Sequence, residues 1–504
     1  NTPNSAALLY DFYSKGYAGR RKRGGESPGI GASAASDHRT WPLTRTPVNR
    51  GYMNGTLGQD GRLKSLTAAC SPLWFASDGL GADLRGSVFV CEPAGNLLKR
   101  LTVSERDGVP SAKQAYDGRE FLASTDPRFR PVHLCTTPEG DLLLVDMYRG
   151  LIQHKLYLTP YLRQKTEEAK LTPPLDGGRI WRISRRDAPK TPARKLSAAT
   201  TSELVELLQS RELRERATAQ RLLVERRDAS AAPALRAVFE HPRTAASAGH
   251  ALWALEGSGL LSDDDLSAAL AHPRATVRVQ ALRLAETRLD RPSVAAAVAR
   301  LFDDEDRRVR VQCALAISGA PALHDVLTRL LVRDGEDPIL RGAALTGLEN
   351  AEVAMMRALI AASRAGTASR DTGLSPATKS VVSALTDQRL RAGAAGAGDV
   401  LAFAGDTLVD HRPFADVVLT RVAAKQRLDD ASPRPLELTA APDALLAATA
   451  LLPADARRTR IERQLAWLDW PGRPPADRPA SARPLTAVEK TRFANGETLF
   501  ARCA

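Results

Sequence analysis

The most specific chemical signal lies at the far end of the sequence. Cys503 follows Gly496 by seven residues and Phe500 by three, the spacing that leads into the first thioether cysteine of a c-type haem site, Cys-x-x-Cys-His. The second cysteine and the histidine would fall beyond Ala504, so this stretch predicts a lead-in to haem c that cannot itself hold covalent haem. Arg128 and Arg130 alternate on a segment that reads as extended, which predicts two guanidiniums on one face about 7 Å apart. Asp146, Tyr148, Arg149 and His154 follow the end of a predicted strand and either line a site or fix the turn. Cys70, Cys91 and Cys135 include a disulfide in an oxidising compartment or serve as small buried hydrophobes. Cys313 lies on an apolar helix face and reads as core. His250 stands where related repeats carry glutamine, which predicts a structural polar contact. No P-loop, dinucleotide fingerprint, zinc-spaced cysteine and histidine set or nucleophile elbow is present.

These residues need elements to position them. Residues 1–62 read as a loop-rich lead-in. From 63 to 184 short β-rich runs alternate with Gly, Pro, Asn and Asp: residues 86–91 and 97–103 form a predicted hairpin, followed by strands at 132–135, 142–145 and 179–184. This rhythm predicts two or three blades of a partial β-propeller, with further blades expected upstream of Asn1. A basic linker (185–195) leads to alanine- and leucine-rich helices. Aligned strings, four of the five led by arginine and the one at His250 by Ala246, place Gln220, His250, Gln280, Gln312 and Ala343 at steps of 30, 30, 32 and 31 residues, which predicts a HEAT-like α-solenoid over 196–365. An irregular helical region (366–470) and a Pro-rich linker (471–484) come next. Thr486 and Glu489 form a predicted capping box that opens a helix at 485–504, the first helix of a truncated cytochrome c domain. The fold class expected is multidomain, β followed by α.

Composition narrows the function. The chain has 504 residues, 43% apolar and 26% charged. It lacks the ~18-residue apolar run of a membrane helix, and five cysteines are too few for a disulfide framework. The net charge of +13 is local: residues 1–195 carry 30 Lys and Arg against 19 Asp and Glu, and the remainder 41 against 39. A nearly neutral helical region argues against a nucleic-acid partner. The densest run, residues 20–23, sits among Gly and Ser without aromatics and reads as a solvated loop.

The order of parts resembles a family of large exported bacterial proteins, of the planctomycete type, that join a sorbosone/glucose-dehydrogenase-like propeller, HEAT repeats and a C-terminal cytochrome c. The motifs that carry the resemblance are dense over 45–185: Asn49-Arg50-Gly51-Tyr52, Asp60-Gly61-Arg62-Leu63, Glu92-Pro93-Ala94-Gly95-Asn96-Leu97, Arg128-Phe129-Arg130-Pro131, Asp146-Met147-Tyr148-Arg149-Gly150 through His154, and Gly178-Arg179-Ile180-Trp181-Arg182-Ile183. It implies a fragment of a periplasmic or otherwise exported redox protein. In such a protein a propeller of the pyrroloquinoline quinone (PQQ) type oxidises a small organic substrate such as a sugar and passes electrons to haem c. The resemblance casts Arg128 and Arg130 as quinone-binding residues, with calcium ligands and the catalytic base on other blades. The sequence departs from the pattern at Ala94, where the resemblance places a lysine. The competing expectation is a non-catalytic propeller and HEAT scaffold that binds a polysaccharide or a protein.

Overall fold

The computed structural model describes residues 9–11, 31–45, 48, 53–106, 108–153, 156, 158–187, 194–365, 373–428 and 434–474. Residues 20–23, 49–52, His154 and the segment 475–504, with the predicted helix from Thr486 and Cys503, lie outside them. Among the described residues an antiparallel β-rich part, which includes the α-helix Pro160–Glu168, precedes sixteen further α-helices. The chain divides into two compact units, one built on Ser27–Ala316 and the other on Ile317–Ala504.

In the first unit, strands β1 (Leu9–Asp11) and β2 (Gly31–Ser33) pair with each other. A larger antiparallel sheet has the order β3 (Cys70–Phe75), β4 (Ser87–Glu92), β5 (Leu97–Arg106), β6 (Val109–Gln114), with β7 (Leu122–Ala123) also on β5. A second sheet has the order β10 (Arg179–Ile183), β9 (Leu142–Asp146), β8 (Pro131–Thr136). The predicted hairpin is β4 with β5, joined by Pro93-Ala94-Gly95-Asn96, where Asn96 takes φ +57°. Asparagine tolerates that left-handed conformation better than most residues.

Every residue of β4 is buried. Alternation sends Phe89 and Cys91 into one cluster with Phe75, Leu98, Phe129, Leu134, Leu142 and Leu144, drawn from both sheets. Val88 and Val90 face the other way, into a cluster with Ala34, Leu66, Leu101 and Ala112. The sheets approach closely at two turns. A Cβ on Gly79 would lie 2.5 Å from the backbone of Gly140, and Gly140 itself takes φ +86°, so neither turn accepts a side chain.

The helices of this unit start on recognisable caps. Thr200 and Glu203 form a capping box, as do Ser262 and Asp265. Gln220, His250, Gln280 and Gln312 lie on the helices Leu213–Arg226, Ala245–Gly257, Ala275–Ala285 and Arg307–Ile317. His250, Gln280 and Gln312 are each the sixth residue of their helix. Gln220 is the eighth of its own, so the equivalent position there is Thr218, and the sequence alignment ran two residues off at that repeat. Side chains near this position nonetheless link successive helices. His250 Nδ1 meets Gln220 Oε1 at 2.6 Å, Trp253 Nε1 donates to Gln280 Oε1 at 2.9 Å, and Arg283 Nε donates to Gln312 Oε1 at 3.2 Å.

The second unit holds helices from His324–Asp334 to Ala456–Ala466 and a two-stranded parallel pair, Leu436–Glu437 with Leu468–Asp469. Ala343 is again the sixth residue of its helix, Pro338–Leu345, and fully buried. Regular helices continue past residue 376, including Pro376–Leu390, Ala394–Thr407 and Arg412–Gln426. Gly405 is required where Ala394–Thr407 meets the helix Asp443–Ala450, because a Cβ there would lie 2.4 Å from Leu445 N. No helix among the described residues is long and apolar enough to cross a membrane.

Candidate functional site

Arg128 does not sit on an extended segment. Residues 126–129 form a turn in which Phe129 N donates to Asp126 O (3.1 Å) and the Asp126 side chain accepts from Arg128 N (2.8 Å). Pro127 at the second position pre-sets the bend. Period-two alternation therefore starts only at β8, and the two guanidiniums diverge. Arg128 donates to the carbonyls of Lys170 (2.6 Å) and Pro173 (3.1 Å).

Arg130 is fully buried and reaches three other carbonyls: Arg149 O from Nε (2.7 Å), Pro93 O from Nη1 (2.7 Å) and Gly150 O from Nη2 (2.6 Å). Burial pushes its pKa down to about 10, partly offset by Asp146, so it stays charged at neutral pH. A planar fork of five donors suits such a cradle of carbonyl groups, and lysine does not reproduce it.

The surrounding motifs converge on this guanidinium. Asp146, 1% exposed, accepts Arg130 N (2.8 Å) and Tyr148 N (2.9 Å) at Oδ1 and Trp181 Nε1 (3.1 Å) at Oδ2. Asn96 donates to Phe129 O (2.6 Å) and Pro127 O (3.2 Å) and accepts from Thr44 Oγ1 (2.9 Å). The buried Glu92 carboxylate accepts from Thr67 N, Ala68 N and Ala94 N. Ala94, the position of the missing lysine, is 2% exposed inside this turn. The Glu92–Asn96, Arg128–Pro131, Asp146–Gly150 and Gly178–Ile183 motifs thus meet in one hydrogen-bond network.

This placement does not fit a quinone tricarboxylate. Both guanidiniums face main-chain carbonyls, and Arg130 has no surface to offer an anion. Among the described residues no group of three or more His, Cys, Asp or Glu side chains is arranged to hold a metal. Of the predicted channel-lining residues, Asp146, Tyr148 and Arg149 are brought to one strand end; His154 and the haem-attachment candidate Cys503 lie outside the described residues.

The same strand end carries an open surface that the sequence reading missed. Arg179 CZ lies 3.6 Å from the Tyr148 ring centroid and 5.8 Å from that of Trp181. Trp181 is 45% exposed, and its indole is fixed by Asp146. Tyr148 takes φ +47°, a conformation imposed where Asp146 Oδ1 captures its amide. The Tyr148 ring, just past the end of β9, stands beside the Arg179 cation and the half-open Trp181 indole of the outer strand β10, held from beneath by the buried network.

A second buried polar group was also unforeseen. Lys99 Nζ contacts Glu120 Oε1 (2.9 Å), Gln114 Oε1 (2.7 Å) and Arg39 O (2.9 Å) and lies 5.0 Å from the Trp41 ring centroid. Burial pulls the lysine down and pushes the carboxyl up, with each charge partly restoring the other. Alternation along a strand gives no sign of such a pair. No curated protein matches the chain. Residues 4–187, the stretch that contains the whole Arg130 network, match the profile of a domain of unknown function (DUF7133).

Proposed function

We propose that the chain is a binding scaffold, with the β-rich sheets as successive propeller blades and the helices as a HEAT-like solenoid, and that its β part takes an acidic polysaccharide. The observation that carries this reading is the Tyr148–Arg179–Trp181 surface formed by the end of β9 and by β10. Aromatic faces stack on the C–H faces of pyranose rings, and a guanidinium pairs with a carboxylate or sulfate substituent. The local surplus of 11 positive charges in residues 1–195 favours an anionic chain over a neutral one. The blade reading is supported by β4, covered on both faces as a strand in an inner blade must be. No residue is assigned a catalytic role, and a sugar substrate is replaced by a sugar polymer as ligand.

The test is affinity electrophoresis through gels containing polygalacturonate, with dextran as neutral control. Retardation by polygalacturonate alone, reduced about tenfold in Trp181→Ala and in Arg179→Ala, supports the reading. Equal mobility of wild type and both variants would sink it. A redox reading retains one supporting observation, the Gly496, Phe500 and Cys503 spacing, which also favours an exported location because haem c is attached on that side. Covalent haem on the denatured product of the full gene tests it.

A further inference from the structure

Cys70 and Cys91 face each other as direct partners across the antiparallel pair β3 and β4. Both side chains belong to the same apolar cluster, with Cys91 fully buried and Cys70 partly open. Directly opposite antiparallel residues have Cα atoms about 4.5–5.5 Å apart, inside the window a disulfide spans.

The remaining described cysteines are excluded as partners. Leu134 points into that cluster, so alternation turns Cys135 to the other face of β8. Cys313 is buried among helices, with its thiol on Val298 O at 3.7 Å.

We propose that Cys70 and Cys91 are a dithiol–disulfide pair that closes to a cross-strand disulfide under oxidising conditions. The adjacent Cys91 lowers the pKa of Cys70, while the same proximity together with burial raises that of Cys91. Cys70 is therefore both the accessible sulfur and the better thiolate. With glutathione disulfide as oxidant, the Cys70 thiolate attacks one glutathione sulfur and that S–S bond breaks. The departing glutathione thiolate takes up a proton. Cys91 then loses its proton to solvent and attacks the Cys70 sulfur, expelling the second glutathione as thiolate, which is protonated in turn. Two electrons pass to glutathione disulfide, and two protons end on two glutathione thiols. The closed bond pins β3 next to the irregular step between Cys70 and Leu73, where Ser71 takes φ +48°.

Reduced, folded protein is incubated with glutathione disulfide, quenched with N-ethylmaleimide and mapped by peptide mass spectrometry. The expected result is a peptide pair linked through Cys70 and Cys91, reversed by dithiothreitol and formed equally in Cys135→Ser. The Cys91→Ser variant should stop at a stable glutathione adduct on Cys70. Linkage of Cys70 to Cys135, a lasting glutathione adduct on wild-type Cys70, or no oxidation of the pair overturns the proposal. Comparing wild type with Cys135→Ser keeps the test independent of any variant that fails to fold.

Discussion

At the scale of single residues, burial decides what each polar group does. His250 shows this with a measurable sign. Burial first, and then the charge of Arg216, lowers its pKa to about 4 from 6.5, and the carbonyl of Gln220 fixes the proton on Nδ1. A histidine whose folded pKa lies below its unfolded value stabilises the fold fully above pH 6.5, and that contribution is lost as pH falls towards 4. The ring is partly open to water, which reduces the effect to about 1–2 kcal/mol. Urea unfolding at about pH 7 and about pH 4.5 should therefore show a larger loss in wild type than in His250→Gln, which cannot titrate. Parallel losses in the two proteins would show that His250 does not carry this dependence.

At the scale of elements, the recurring device in the helical array is an arginine at the fourth position of a helix. Arg216 donates to Ser210 O and Arg211 O, Arg278 to His272 O and Pro273 O, Arg310 to Asp304 O and Glu305 O, and Arg341 to Gly335 O and Glu336 O. Each one ties its helix to the turn before it. Arg278 adds a bidentate pair with Asp304, at 2.7 and 2.8 Å and nearly closed to solvent. Asp304→Asn should cost about 3 kcal/mol, because it leaves a buried guanidinium without its counter-charge. Asp306→Asn, at a more open pair, should cost under about 1 kcal/mol. Chemical denaturation of both variants decides between a structural and an incidental role for the repeated arginine.

Much at this scale was legible beforehand. The β4–β5 hairpin, the strands at 132–135, 142–145 and 179–184, and the helix spacing all follow from periodicity, which reports the apolar face of an element. The repeated arginine was visible in the strings that defined the spacing, yet a phase error of two residues at Gln220 hid its regularity. Arg128 and Arg130 were misplaced because an aspartate and a proline made a turn where alternation predicted a strand. Lys99 on β5 with Glu120 in the loop before β7, and Cys70 with Cys91 across β3 and β4, depend on how separate segments come together, which no local pattern encodes.

At the scale of the first unit, charged contacts join the sheets to the helices at two places. Near the first long helix, Arg85 contacts Asp78 (3.1 Å) and Arg211 O (2.5 Å), Asp78 N donates to Glu212 Oε1 (3.2 Å), and Arg214 donates to Thr136 O (3.2 Å). Near the helix Arg307–Ile317, Arg308 contacts Glu105 at 3.0 Å, and the Gly108 turn lies close enough that a Cβ there would meet Arg308 at 2.5 Å. An array of repeats normally melts in steps, each repeat coupled only to its neighbours. Tied to the sheets at two separated helices, the helices of the first unit should instead unfold with them in one cooperative transition. Calorimetry should show that transition broaden or divide in molar salt, which screens partly exposed ion pairs. A salt-independent profile would show that the seam contributes no coupling.

The seam has a mechanical corollary. A free stack of helix pairs behaves as a spring, lengthening by small rotations shared among its repeats. Here the helices Leu213–Arg226 and Arg307–Ile317 are both fastened to the sheets, so a change in pitch must first break the contacts at Asp78 or at Glu105. The segment between them should then act as a strut, passing a pull on one face to the β-rich part.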